Sequence, residues 1–314
     1  MFSPAAVPLL AFDWDRVTVA CFFSSYLVAL GFEVAQLLKQ HSASHWLALL
    51  LSSAGLVAQA VYLLNRSRSM DLPPLLSSTH DWLLVFALLI VLLYVFVELL
   101  DRRVALGLFV LPIVLLLVGL SRFVSDVPNP DLVEPERLRR LGMFHASMLV
   151  LGMLGVFASF LMSVMYLVQH RRLKSRRAEP EGLHLLSLAK LNRINWWGIV
   201  LAVPLLTVGM ATGVWLTYLS AGTDSPVSLH RWQFVVSGAV WMTMMALFLW
   251  LLGSRTPSGR LVAWRTVWAC GFLLVTLLLL QLAGGGVHGT ASARTTSMDH
   301  RLWTIDRLYE RPGC

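Results

Sequence analysis

Few ionisable side chains lie in or beside the apolar runs of this chain, and those few are where chemistry could reside. His80, His145 and His288 each fall at the end of an apolar run, and on the topology read below they share one side of a membrane, while His45 falls on the other. Histidine is the commonest axial ligand of haem iron. Two imidazoles on separate helices at matching depth could grip one porphyrin from both faces, and His145 and His288 meet that depth condition. For each of them an interfacial polar residue is the alternative reading. Gly284, Gly285 and Gly286 directly precede His288, where they suit either a turn that carries a ligand or a plain helix stop. Glu33 and Glu98 are carboxylates within apolar runs, a costly placement that suggests a proton or cation site. Arg102 stands four residues after Glu98, a helical pairing distance, so an interfacial carboxylate with a basic partner is the competing explanation.

The elements that must position these groups follow from composition. Of 314 residues, 57% are apolar and 13% are charged, where a soluble domain carries about 25% charged residues. Mean hydropathy is +0.70. Disorder needs low hydrophobicity and high charge, so it is excluded together with the soluble globular class. Eight apolar runs are evident: Val17–Leu38, His45–Leu64, Trp82–Leu100, Val104–Leu120, Met143–Gln169, Trp197–Tyr218, Trp232–Leu252 and Thr266–Ala283. They are continuous rather than alternating, which excludes a membrane barrel. The expected fold is therefore all-α: a polytopic membrane helical bundle of about eight transmembrane helices over residues 1–290, with a polar C-terminal tail at 291–314. Trp46, Trp82, Trp196, Trp197, Trp232 and Trp268 fall at run ends, as interfacial anchors do.

The connection His170–Asn195 carries seven Lys/Arg (Arg171, Arg172, Lys174, Arg176, Arg177, Lys190 and Arg193), which places it on the cytoplasmic side of a cell inner membrane and both termini outside. The chain-wide count is nearly even, thirteen inside and twelve outside. Glu179–Asn195 is predicted to be a short helix at the inner surface, and Ser121–Gly142, with Pro128, Pro130 and Pro135, an external loop. The net charge of +8 suits anionic lipid rather than nucleic acid, because the basic residues lie between apolar spans and form no domain of their own. Cys21, Cys270 and Cys314 make no CxxC pair or CxxCH haem-attachment motif. The first dozen residues lack the basic stretch of a cleaved signal peptide. No P-loop, HExxH or GxSxG is present, nor an intramembrane lysine for a retinal Schiff base. Gly209 and Gly213 form a GxxxG pair, with Gly152 and Gly155 in the preceding run, and close helix packing is the default reading.

Four stretches, taken in order, resemble the cytochrome c assembly protein family, in its CcsA/HemX-like group. Leu106–Val118, LGLFVLPIVLLLV, is similar to that family's fourth span. Phe144–Tyr166, FHASMLVLGMLGVFASFLMSVMY, resembles its histidine-led fifth span. Ser187–Trp215, SLAKLNRINWWGIVLAVPLLTVGMATGVW, looks like its inner surface helix and sixth span, and GGGVHG like its closing glycine-histidine turn. The likeness covers roughly residues 75–290. It implies an eight-span protein that handles haem at the outer membrane face, with His145 and His288 as the pair of axial ligands to the iron, and other membrane components of cytochrome c maturation as partners. Two family features are missing. The connection VWLTYLSAGTDSPVSLHRW keeps Trp215, Asp224 and Trp232 but not the dense tryptophan pattern, and Leu251, Leu252 and Gly253 stand where a further histidine is found.

The leading expectation is a non-enzymatic haem-binding membrane factor of cytochrome c biogenesis or haem trafficking. The alternative is a HemX-like accessory or regulatory protein that keeps the fold without transporting haem. A secondary transporter ranks last; it would have repeated halves and broken helices, for which Pro112 and Pro204 are the candidate break points.

Overall fold

The computed structural model describes residues 17–38, 42–70, 73–100, 106–124, 126, 136–174, 187–220, 232–253, 259–276 and 278–279. Its elements are α1 (Val19–Leu38), α2 (Ser42–Met70), α3 (Pro74–Ser77), α4 (Thr79–Leu100), α5 (Gly107–Ser121), α6 (Glu136–Lys174), α7 (Leu188–Ser220), α8 (Trp232–Gly253) and α9 (259–276). Among the described residues there is no strand. In hydrocarbon each backbone group must be satisfied within its own segment, and continuous apolar runs meet that condition as helices. Among the described residues, each of the eight apolar runs is overlapped by one of these helices. Five of them, α1, α2, α4, α6 and α7, are long and apolar enough to cross a membrane by length and composition, and α5 is a shorter apolar helix. The chain is a polytopic helical membrane protein.

Four local expectations are corrected. Residues 188–195 are not a separate surface helix: they are the first turns of α7, and Leu191 there is fully buried. Helix α6 begins at Glu136, so the end of the expected external loop is helical. Trp82 is no surface anchor; it is 6% exposed and stacks on Phe86 with ring centroids 5.7 Å apart. Pro112 and Pro204 break nothing, since α5 and α7 run through them. The polar tail at 291–314, together with residues 179–186, lies outside the described residues.

Helices α1, α2, α4 and α5 form one packed group and α6 and α7 form a pair. Phe86 of α4 meets Phe157 of α6 edge to face at 6.4 Å, linking the two. Helix α9 lies along the C-terminal half of α6, with Gly259 facing Tyr166 and Gly271 facing Phe160.

One stripe of α2 organises the first group. His45, Ser52, Gln59 and Arg66 recur every seven residues, with Ala48, Gly55 and Tyr62 between them, the a/d spacing of a helix seam. Ser52 and Gln59 are fully buried. The Tyr26 hydroxyl of α1 donates to Gln59 Oε1 at 2.7 Å, and Gln59 Nε2 donates to the Leu84 carbonyl of α4 at 2.9 Å. Gly55 makes room for the Tyr26 ring: a Cβ there would stand 2.6 Å from Tyr26 Cε1. At one end of the stripe His45 Nε2 lies 3.9 Å from Glu98 Oε2. At the other, Arg66 Nε lies 2.6 Å from Asp81 Oδ1, and Asp81 Oδ2 also accepts from the Ser77 hydroxyl.

Removing one partner of a buried ion pair leaves an uncompensated charge and costs about 3–5 kcal/mol, whereas replacing both with apolar groups is often close to neutral. Asp81→Ala is therefore expected to lower the unfolding midpoint in detergent more than the double change Arg66→Met with Asp81→Leu does, as measured by thermal or denaturant unfolding.

Candidate functional site

The pairing of α6 with α7 rests on small residues. Gly152, Gly155 and Ser159 on α6 meet Leu206, Ala202 and Gly198 on α7. A Cβ on Gly155 would lie 3.0 Å from Ala202 Cβ, and one on Gly152 would lie 2.7 Å from Leu206 Cγ. The Ser159 hydroxyl is 3.0 Å from the Gly155 carbonyl and 3.2 Å from that of Asn195. As α6 ascends, its contacts step down α7, so the two helices are antiparallel. Without a hydrophobic drive between helices in lipid, close backbone approach supplies the packing.

This close approach brings His145 onto α7. Its Nδ1 lies 2.7 Å from the Gly209 carbonyl oxygen. A carbonyl only accepts, so Nδ1 carries the proton and donates it, and Nε2 keeps the lone pair. Thr212 Oγ1 lies 3.4 Å from the same nitrogen and 2.8 Å from the same carbonyl. Gly213 forms the floor: a Cβ there would stand 2.8 Å from His145 Cε1 and 3.2 Å from Nδ1. Gly209 in turn accommodates Leu149, whose Cδ2 would be 2.6 Å from an added Cβ. The GxxxG pair thus packs α6 against α7 and also seats an imidazole. Metal-bound histidines typically donate their second ring N–H to a carbonyl or carboxylate, which fixes the tautomer and orients the ring. This donor set fits one axial ligand of an iron porphyrin. Further along the same end of α7, Trp215 and Tyr218 are exposed, with ring centroids 6.5 Å apart.

The remaining candidates separate clearly. His288 lies outside the described residues, as do Gly284, Gly285, Gly286 and Arg102. His80 is at the same end of the bundle as His145, since α3, which leads into α4, has Leu76 facing Gly142 of α6. It is buried, however, with Nδ1 2.7 Å from the Ser121 carbonyl and Nε2 3.4 Å from the Tyr62 hydroxyl, so both ring nitrogens face protein partners. Glu33 is buried and accepts from the Tyr94 hydroxyl at 3.0 Å, with Gly107 making room for both side chains. Glu98 is fully buried and accepts from the Leu106 backbone N–H at 3.3 Å. Among the described residues no three His, Cys, Asp or Glu converge as a metal-chelating group.

The sequence reading missed two things here: the polar seam of α2 and the role of Gly209 and Gly213 as the seat of His145. The seven-residue recurrence of His45, Ser52, Gln59 and Arg66 was a usable signal for the first. The second had none, because spacing alone does not say which ring lies over a glycine.

The sequence pattern of the cytochrome C assembly protein family matches residues 72–288, more than half of the chain. The chain belongs to this family. The match begins in the stretch before α3 and covers α3 to α9, so the α6–α7 seam and His145 lie within it and α1 and α2 lie before it. Membership supports a role in cytochrome c biogenesis, and the family is associated with haem handling. No curated protein and no solved structure matches the chain.

Nitrogen NMR of histidine-labelled protein is expected to show His145 protonated at Nδ1. Gly213→Leu, which intrudes on the ring, should shift or broaden that signal while leaving the helix content measured by circular dichroism unchanged. An identical spectrum in the variant would mean that Gly213 does not seat the ring.

Proposed function

We propose that this protein binds haem at the end of the bundle where α6 begins, with His145 and His288 as the two axial ligands to the iron. The observation that carries the reading is the hydrogen bond from His145 Nδ1 to the Gly209 carbonyl, which leaves Nε2 as the coordinating nitrogen on a preset ring. Family membership and the family's association with haem support it. Bound haem would supply the redox and ligand-exchange chemistry, while the chain supplies ligation, orientation and shielding. Trp215 and Tyr218, exposed near the same end of α7, are suited to contact the porphyrin face or edge.

In this reading the end bearing His145 faces away from the cytoplasm. The seven Lys/Arg of the connection His170–Asn195, which follows the far end of α6, are the observation that favours it. The membrane is then the cell inner membrane, both termini lie outside, and other membrane components of cytochrome c maturation receive or supply the haem. The protein acts as a binding and assembly factor rather than an enzyme. One sequence observation favours a second reading, a HemX-like accessory protein that does not transport haem: the connection between Val214 and Trp232 lacks the dense tryptophan pattern.

A visible spectrum of the protein in detergent, with added haem, separates the two. A Soret band is expected, and both His145→Ala and His288→Ala should weaken it at least tenfold in haem affinity. In His145→Gly, millimolar imidazole should restore the band by taking the vacated position. A colourless protein that ignores added haem would leave the accessory reading standing.

A further inference from the structure

The far end of α6 carries a feature that haem ligation does not use. A cavity of about 440 Å³ lies between the C-terminal turns of α6 and the start of α9, lined by Leu167, His170, Arg171, Arg260, Leu261 and Trp264. His145 and His170 are 25 residues apart on one helix, about 37 Å at the α-helical rise, so the cavity and the His145 seat lie at opposite ends of α6.

The lining is one-sided in charge. Two arginines and a histidine border it, and among the described residues no carboxylate does. Guanidinium is the planar donor that suits phosphate and carboxylate geometry. The rest of the wall is Leu167, Leu261 and Trp264, and the last two are 42% and 46% exposed. The site is also preset. The His170 ring stacks on Tyr166 with centroids 6.2 Å apart and planes 8° apart, and Gly259 faces the Tyr166 hydroxyl, which ties the start of α9 to the same surface. An anionic head and an apolar body on one molecule match this division of the wall. The basic end of a membrane helix is also where anionic headgroups are available.

We infer that the α6–α9 cavity is a binding site for the phosphate headgroup of an anionic phospholipid, held by Arg171 and Arg260 with the lipid body along Leu261 and Trp264. A soluble phosphate ester shares the headgroup chemistry but not the apolar body.

The test is native mass spectrometry of the full chain in mixed micelles containing phosphatidylglycerol and phosphatidylcholine in equal amounts. The wild type is expected to retain phosphatidylglycerol at least fivefold over phosphatidylcholine. The double change Arg171→Gln with Arg260→Gln should reduce the ratio to about one. Leu261→Trp, which fills the cavity without altering charge and guards against a folding defect in the double variant, should reduce it as well. His145→Ala should leave the ratio unchanged, so failure of the haem reading would not be mistaken for failure of this one. Displacement of phosphatidylglycerol by millimolar glycerol 3-phosphate would keep the phosphate site and make a soluble ester its occupant. Equal retention of both lipids by the wild type, or an unchanged preference in the variants, would overturn the inference.

Discussion

Close approach of α6 and α7 is the constraint on which the candidate site depends. An imidazole can donate to a carbonyl in the middle of a neighbouring helix only when the two backbones nearly touch. In lipid that approach cannot be driven by hydrophobicity and has to come from residues small enough to permit it. Gly152, Gly155 and Ser159 against Gly198 and Ala202 set the distance along the seam. Gly209 and Gly213 extend the same seam to the ring of His145. Packing and the seating of the His145 ring are therefore one geometric problem, and a side chain added at Gly209 or Gly213 would disturb both.

The first helical group solves a different problem. It buries Tyr26, Gln59, Glu33, Tyr94, Glu98, His80 and Asp81, groups whose desolvation would be costly unless each found a partner. It does so by pairing across helices: a hydroxyl to an amide, an amide to a carbonyl, a guanidinium to a carboxylate. In this context His80 becomes part of the frame. It lies at the same end as His145, yet its two nitrogens are turned to Ser121 and Tyr62, while Nδ1 of His145 is turned to the Gly209 carbonyl of α7.

The helices were readable in advance because hydrocarbon thickness dictates about 20 apolar residues per span, and the composition leaves few other choices. His145 was readable as a candidate because it opens a span. What could not be read was direction. The sequence marks His80 and His145 alike as histidines at run ends, and which nitrogen each presents, and to what, depends on the neighbouring helix. For the same reason Trp82 looked like an interfacial anchor and is instead stacked inside the bundle, and Glu179–Asn195 looked like a separate surface helix although its residues 188–195 run on into α7 without a break. The carboxylates Glu33 and Glu98 were conspicuous in the sequence, but their partners Tyr94, Leu106 and His45 come from other parts of the fold.

The seven-residue register of α2 has a consequence for how this chain can vary over evolutionary time. Each residue turns a helix by about 100°, so one codon lost between Ala48 and Tyr62 would rotate Arg66 away from Asp81 while His45 stayed beside Glu98. The two faces of the membrane are phase-locked through this helix. Substitutions along it can accumulate one at a time, but each residue lost or gained also moves Arg66 by about 1.5 Å along the axis, so the two end pairs hold the length of this helix as well as its phase.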